Sequence, residues 1–144
     1  RMLNPVSSPV VGATPRLQCG GRFLRAAPQA GDRVRIYPVN PRYDEILGER
    51  CYARLEDIPF AVDMVDVFRK PDDVLPIARS AVAIGARCLW QQLGVKNLEA
   101  DVLARAAGLD SVMDRCVKIE HARLFGGLNW VGVNTRVISA RRPV

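Results

Sequence analysis

A chain of 144 residues that is 49% hydrophobic and 25% charged has the size and balance of one globular domain. The same balance argues against wholesale disorder, and no apolar run is long enough to span a membrane. The net charge of +6 fits an anionic ligand or nucleic acid, but the Arg residues are scattered rather than clustered. We expect a single domain over residues 1–144, with a motif-bearing core at about 9–124 and a less regular extension at 125–144.

Five short apolar segments are predicted as β-strands. The third is the clearest, because β-branched residues alternate with acids as they do in a half-buried strand. The second is expected to stop at Pro38 and Pro41. In chain order, the five predicted strands are Ser8–Gly12, Arg33–Tyr37, Ala61–Phe68, Arg87–Trp90 and Leu109–Met113.

Two stretches between the later strands are predicted as helices. Pro71 and two acids open the first, since proline loses no hydrogen bond in a first turn and acids suit the helix dipole. Gly85 is expected to end it, after an apolar face that begins at Val74. The second helix is expected to be capped by Asn97 and stopped by Gly108. Its predicted apolar side consists of Leu98, Val102, Leu103 and Ala106.

Other segments carry weaker signals. A short or irregular helix is expected at Arg22–Ala27, because a glycine pair and Pro28 bound it. Another short helix is expected at Cys116–Leu124. In the tail, Trp130–Val133 and Arg136–Ile138 could form a loose strand pair.

Strands that alternate with helices indicate right-handed β-α-β crossovers. The predicted fold is therefore α/β, a Rossmann-like three-layer sandwich with a five-stranded, mostly parallel sheet. Ligands of such sheets lie outside the carboxyl ends of the strands, where helix N-termini present free backbone N–H groups. The residues that directly follow each strand are the candidate binding residues.

The turns after the first two strands offer polar groups. Gly12 lets the backbone approach a phosphate and Thr14 offers a hydroxyl, although an ordinary strand-to-helix turn is the alternative. Asn40 stands where dinucleotide dehydrogenases carry an acid for the ribose hydroxyls. The missing acid argues against NAD, and Arg42 leaves room for a phosphorylated ribose. A rigid proline turn with a local Asn40 hydrogen bond explains the same residues.

The turns after the third and fourth strands also allow two interpretations. Phe68 could cover an adenine face, and Arg69 or Lys70 could meet a phosphate. The alternative is a core Phe followed by a solvated basic pair. Gln92 could bond a ligand that Gly94 allows to approach closely, or Trp90 is a core residue followed by a polar loop.

The segment Asp114–His121 is the densest polar cluster in the sequence. Cys116 and His121 suggest a thiol nucleophile with its base, but they are five residues apart and off a common helical face. We expect a structural network here and no catalytic residue. The four cysteines form no C-x-x-C pair and His121 is the single histidine, so no zinc site is expected. Free thiols fit a reducing compartment, the cytoplasm.

Four motifs occur together in a fixed order. They are Val39-Asn40-Pro41, Val65-Asp66-Val67-Phe68-Arg69, Trp90-x-Gln92-x-Gly94 and Asp114-Arg115-Cys116-x-x-x-Glu120-His121. In this order they resemble the stand-alone bacterial CoA-binding proteins, whose fold is similar to the CoA-binding domain of the succinyl-CoA synthetase α subunit. The resemblance is strong from Val34 to about Leu124, while residues 13–31 keep only fragments of the family pattern.

The resemblance implies a Rossmann-like sheet that binds coenzyme A through its nucleotide part. It places Gly12, Ala13 and Thr14 at the diphosphate and Asn40 and Pro41 beside the adenosine. It places Phe68 and Arg69 along the same edge, and Gln92 and Gly94 across the switch point. The implied function is a non-catalytic carrier, sensor or regulatory module for CoA or acyl-CoA, without nucleic acid or membrane partners. The alternative is an enzyme that acts on CoA thioesters or uses a nicotinamide cofactor.

Overall fold

A computed structural model describes residues 6–15, 35–116 and 120, and its main element is a parallel β-sheet. The sheet strands are β1 Ser7–Val11, β2 Arg35–Val39, β5 Met64–Val67, β6 Cys88–Gln91 and β7 Asp110–Val112. Two further strands, β3 Glu45–Ile46 and β4 Glu49–Arg50, pair antiparallel in a hairpin that the sequence did not predict. The predicted α/β Rossmann-like fold and its five-stranded parallel sheet are confirmed.

The strand order across the sheet is β2-β1-β5-β6-β7. When only the five sheet strands are numbered along the chain, this order is 2-1-3-4-5, and its direction of winding reverses between β1 and β5. Every residue of β1 and of β5 is buried, because these strands lie inside the sheet. In sheets with this order, the crevice at the reversal is the usual place for a ligand.

Strand β5 is shorter than the predicted Ala61–Phe68. Side-chain bonds tie residues 61–63 to the start of β1 instead of a regular ladder. Asp63 Oδ2 accepts the backbone N–H groups of Val6 at 2.8 Å and Ser7 at 3.2 Å, and Ser7 Oγ donates to the Ala61 carbonyl at 2.9 Å. The two alternating acids of this segment therefore have different roles. Asp63 holds the segment to the start of β1, whereas Asp66 is a fully buried residue of β5.

The prediction that Pro38 ends the second strand is wrong. Strand β2 includes Pro38 and continues to Val39. The Pro38 carbonyl points away from β1, because it accepts the Tyr52 backbone N–H at 3.0 Å. The N–H that proline lacks would also face this outer side. A sheet edge tolerates proline for that reason.

Two α-helices cover one face of the sheet, where Val65, Val67 and Leu89 lie in the main apolar core. Helix α1, Val74–Ala83, follows a 3-10 turn at Pro71–Asp73, and helix α2 spans Leu98–Ala106. The predicted cap is confirmed, since Asn97 Oδ1 accepts the Ala100 N–H at 2.9 Å. Neither helix within the described ranges is long and apolar enough to cross a membrane.

The predicted apolar side of α2 is only partly correct, because Leu103 packs against the core whereas the other predicted residues are exposed. Leu98 and Val102 are 62% and 64% exposed, whereas Ala100 and Ala104 are fully buried. Residues four apart share a helical face, so the alanine face packs inward and the Leu98–Val102 face points to solvent. The small side chains let α2 pack closely, and this preference outweighs the larger apolar area of Leu and Val.

Some predictions fall outside the described residues. They are the helix at Arg22–Ala27, the tail segments at Trp130–Val133 and Arg136–Ile138, and all of the predicted helix Cys116–Leu124 except Cys116 and Glu120.

Candidate functional site

A cavity of about 1040 Å³ opens at the carboxyl ends of β1, β2 and β5, beside the reversal of the strand order. Its described lining residues lie within four ranges: 11–14 after β1, 39–43 after β2, 53–56 beside the hairpin, and 69–80 after β5. Four separate segments of the chain therefore meet at this cavity. The cavity lies where ligands of doubly wound sheets bind.

The turn at Gly12 sets the floor of this cavity. Gly12 has a φ of +88°, and its N–H donates to the Val39 carbonyl at 3.0 Å. A Cβ at this position would lie 2.5 Å from the Phe68 carbonyl oxygen and 2.8 Å from Arg69 Cδ. No side chain fits between the β1 and β5 turns, so the sequence requires glycine here.

Thr14 supplies an unused hydroxyl group to the same end of the cavity. Thr14 lines the cavity, and its Oγ1 atom is buried without a hydrogen-bond partner among the residues that the structure describes. Buried hydroxyls are normally paired, because an unpaired one loses its bonds to water. The neighbouring residue Ala13 is fully buried and does not line the cavity, so its side chain is part of the core.

Asn40 connects the turns after β1 and β2. Its Nδ2 donates to the Ala13 carbonyl at 2.9 Å, and its Oδ1 accepts the Arg42 backbone N–H at 2.9 Å. The Asn40 carbonyl accepts the Cys51 thiol at 3.4 Å. Asn40 is buried, and with Pro41 it lines the cavity. Because both ends of its side chain are already bonded, Asn40 mainly holds the two turns in register.

Charged side chains surround the cavity with four cations and three acids. Arg69 pairs with Asp73 at 2.9 Å, and Arg54 pairs with Asp57, which lies outside the lining, at 3.5 Å. The cations Arg42 and Lys70 form no ion pair with any described residue. The acids of the lining are Glu56, Asp72 and Asp73. Within the described part of the chain, Arg42 and Lys70 are therefore the lining cations that remain for an anionic ligand.

Apolar side chains also line the cavity. Leu55 comes from the 3-10 turn Leu55–Asp57, and Pro76 and Ile77 come from the first half of α1. Ser80 adds one hydroxyl group from α1. The cavity thus offers charged and apolar side chains together, a combination that suits a ligand with a charged part and an uncharged part.

Four of the predicted site residues do not line the cavity: Ala13, Phe68, Gln92 and Gly94. Phe68 packs beside Val10 in a secondary apolar cluster. The Gln92 amide donates to Asp66 Oδ1, and the Gly94 N–H donates to Asp114 Oδ1 at 2.8 Å. The structure brings together Gly12, Thr14, Asn40, Pro41 and Arg69 around the cavity.

The Asp66–Gln92 contact is buried in the sheet rather than open to a ligand. Asp66 is fully buried, and the loss of water raises the pKa of its carboxyl from the ordinary value of 3.8 to about 7, partly offset by the Gln92 hydrogen bond. Its Oδ2 atom has no hydrogen-bond partner within residues 6–15 and 35–116 or at residue 120. The loop after β6 is fixed by further internal bonds, since the side chain of Gln91 exchanges two bonds with the backbone of Asn97.

The described cysteines lie away from the cavity lining. Burial and the nearby acids Asp110 and Asp66 raise the pKa of Cys88 to about 12. Cys116 is half-buried, and its proposed partner His121 lies outside the described residues. Within ranges 6–15 and 35–116 and at residue 120, no group of three His, Cys, Asp or Glu side chains could hold a metal ion.

Sequence reasoning left several lining residues out of its candidate set. They are Arg54, Leu55, Glu56, Ile77 and Ser80. The segment 53–56 follows a hairpin and shows no helical or strand period, so nothing in the pattern places it beside β5. Ile77 and Ser80 belong to a predicted helix, and their proximity to that segment depends on tertiary packing.

The chain matches the CoA binding domain family over residues 7–122. It is 36% identical over 87 residues to the uncharacterized protein YneT of Bacillus subtilis, covering 60% of this chain and 64% of that protein. It is 30% identical to a trans-feruloyl-CoA synthase from an unknown prokaryotic organism, covering 95% of this chain and 19% of that protein. The chain therefore spans less than two thirds of these curated relatives.

Solved structures share the fold. A hypothetical protein from Pyrococcus horikoshii OT3 has a TM-score of 0.80 at 35% identity, with 87% of each chain covered. A dinucleotide-forming acetyl-coenzyme A synthetase from Ca. Korarchaeum cryptofilum has a TM-score of 0.72 at 26% identity, covering 79% of this chain and 27% of that one. Since the family match includes β1, β2, β5, β6 and β7 and every described residue of the cavity, the chain belongs to the CoA binding domain family.

Proposed function

We propose that this chain binds coenzyme A, free or acylated, in the cavity at the ends of β1, β2 and β5, and that it does so without catalysing a reaction. The observation that carries the proposal is the set of unused polar groups at the strand ends. The Thr14 hydroxyl is buried without a partner, and Arg42 and Lys70 have no ion pair among the described residues. Phosphate oxygens would satisfy all three.

The diphosphate of CoA fits the turn after β1. Gly12 has no side chain there, so a phosphate can approach the backbone closely, and Thr14 offers its hydroxyl. Arg42 and Lys70 extend from the neighbouring turns after β2 and β5 and supply positive charge to the phosphates. The uncharged part of the ligand would then lie along the apolar side chains of Leu55 and Ile77.

The end of β2 favours CoA over a nicotinamide dinucleotide. NAD-binding sheets carry an acid at this point to accept the ribose hydroxyls. Here the position is Asn40, whose Oδ1 already accepts the Arg42 N–H, and the next free group is the Arg42 side chain. A cation beside the ribose suits the 3′-phosphate that CoA carries and NAD lacks.

A non-catalytic role fits the composition of the lining. Among the described residues, neither Cys nor His lines the cavity, and its hydroxyls have no His beside them as a base. The buried free thiols Cys51 and Cys88 suit the cytoplasm, where we place the protein.

Calorimetric titration tests the binding proposal. We expect CoA to bind more tightly than NAD, and Arg42→Gln to weaken CoA about ten- to a hundredfold, the range for a lost hydrogen bond to a charged group. Arg87→Gln is the matched control, because Arg87 is an exposed cation at the amino end of β6, on the opposite edge of the sheet. Equal affinities for CoA and NAD, or equal losses in both variants, would contradict the proposal.

A separate assay tests the non-catalytic role. Acetyl-CoA incubated with the protein should release free thiol at the rate seen in buffer. A protein-dependent rate that disappears in Thr14→Val or Ser80→Ala would instead favour an enzyme that acts on CoA thioesters. Both hydroxyls line the cavity, so they are the nucleophiles nearest to the proposed ligand.

A further inference from the structure

Asp73 occupies the position that caps helix α1, but its side chain does not cap the helix. A capping aspartate normally has an extended backbone and accepts an N–H group of the first helical turn. Asp73 instead has helical dihedral angles as the last residue of the 3-10 turn, and its carboxylate makes no capping bond. Its Oδ2 lies 2.9 Å from Arg69 Nη2, so the carboxylate is available to Arg69.

The Arg69 side chain crosses the turn at Gly12. The position of a Cβ on Gly12 would be 2.8 Å from Arg69 Cδ and 3.1 Å from Arg69 Cγ, so the aliphatic part of Arg69 lies directly against the bare glycine. The guanidinium end lies beyond, and Asp73 holds it there. Both Arg69 and Asp73 line the cavity.

The ion pair has little to contribute to folding. The side chains of Arg69 and Asp73 are 49% and 41% exposed, and pairs of this kind add little to stability. The main effect of the ion pair is to set the direction of the Arg69 guanidinium group. An arginine has five N–H donors, and only Nη2 of Arg69 donates to a described residue. The other donors remain available at the mouth of the cavity.

We propose that Asp73 is a positioning residue that holds the Arg69 guanidinium across the Gly12 turn, so that its free N–H groups are oriented for a phosphate of the ligand. The identity of that ligand rests on the proposed function. A long side chain that is held before binding loses less conformational freedom when the phosphate arrives, and the complex is tighter by that difference.

The direction in which one substitution changes the affinity for CoA distinguishes a positioning role from a simple effect of charge. Asp73 is negative, so by charge alone it repels a phosphate and its neutralisation should tighten binding. If Asp73 positions Arg69, its neutralisation should weaken binding, and only when Arg69 is present. Asp72→Asn is the matched control, because Asp72 lines the same cavity with the same charge and forms no ion pair with a described residue.

CoA titration of the full chain and of four variants tests the proposal. We expect Asp73→Asn to weaken CoA about three- to tenfold, Asp72→Asn to bind as tightly as the parent or more tightly, and Asp73→Asn added to Arg69→Gln to cause no further loss. Tighter binding in Asp73→Asn would overturn the proposal. So would an equal loss in the presence and absence of Arg69.

A measurement without ligand keeps the test independent of CoA. The Nη2–H signals of Arg69 in a ¹H–¹⁵N spectrum should be resolved in the parent and in Asp72→Asn, because a hydrogen bond to Asp73 slows rotation of this group, and they should move toward the signals of solvated arginines in Asp73→Asn. An Arg69 signal that is the same in parent and Asp73→Asn would overturn the positioning role. If the parent protein shows the signal of a held Arg69 but does not bind CoA, the positioning role of Asp73 is supported and the proposed function is contradicted.

Discussion

Replacing Gly12 by alanine should damage the fold and the cavity together. At a φ of +88° an L-residue costs about 1–2 kcal/mol. The added methyl would also lie 2.5 Å from the Phe68 carbonyl oxygen, a backbone atom that cannot rotate away. Overpacking of this kind costs about 1–3 kcal/mol. The sum is about 2–5 kcal/mol, or a fall in melting temperature of roughly 5 to 15 °C for a chain of this size.

Gly48→Ala separates the two contributions. Gly48 has a similar φ of +80°, but a Cβ there would have no atom within 4 Å. Urea unfolding of both variants should give a loss of about 1–2 kcal/mol for Gly48→Ala and a larger loss for Gly12→Ala. The loss of CoA affinity should be confined to Gly12→Ala, since Gly48 lies outside the cavity lining. Equal losses of stability would refute the close approach of the β1 and β5 turns.

Two further predictions concern buried titratable groups. Between pH 4 and 7 the folded chain keeps the Asp66 proton that the unfolded chain releases, so the unfolding free energy should fall as the pH rises, by up to about 4 kcal/mol. In Asp66→Asn this dependence should disappear in urea titrations at pH 5 and pH 8, whereas an unchanged slope would show that Asp66 does not cause it. Burial also raises the pKa of the thiols of Cys51 and Cys88, the latter to about 12. In the native protein at pH 8 a thiol reagent should modify the half-buried Cys116 before Cys51 and Cys88, the other two cysteines that the structure describes, and mass spectrometry of peptides would detect any earlier reaction at Cys51 or Cys88.

The sheet was predictable from sequence because its strands come from short segments whose alternation or content of β-branched apolar residues is typical of buried strands. Met64–Val67 and Cys88–Gln91 are buried throughout and stand out for that reason. The turns that follow β1 and β2 were predictable too, since parallel strands must bring their carboxyl ends to one edge. Gly12, Thr14, Asn40 and Arg69 were therefore placed at the cavity without knowledge of the contacts.

The remainder depends on tertiary contacts that no local pattern encodes. In α2, Leu98 is exposed and Ala100 is buried, the opposite of what the apolar pattern predicts for these two positions. The space beside α1 accommodates a small side chain better than a large apolar one. Gln92 ends a strand at the correct edge, but the buried carboxylate of Asp66 captures its amide. Leu55 reaches the cavity only because a hairpin returns the chain past β2.

Amide chemical-shift mapping with CoA tests the central claim most directly. The claim is that CoA occupies the cavity at the switch between β1 and β5. Titration of the ¹⁵N-labelled chain should shift the backbone signals of Gly12, Thr14, Arg42 and Lys70, and should leave those of Gly94 and Val102 in place, because the latter two lie outside the cavity lining. Shifts centred on Gly94 and α2, or no shifts at millimolar CoA, would contradict it.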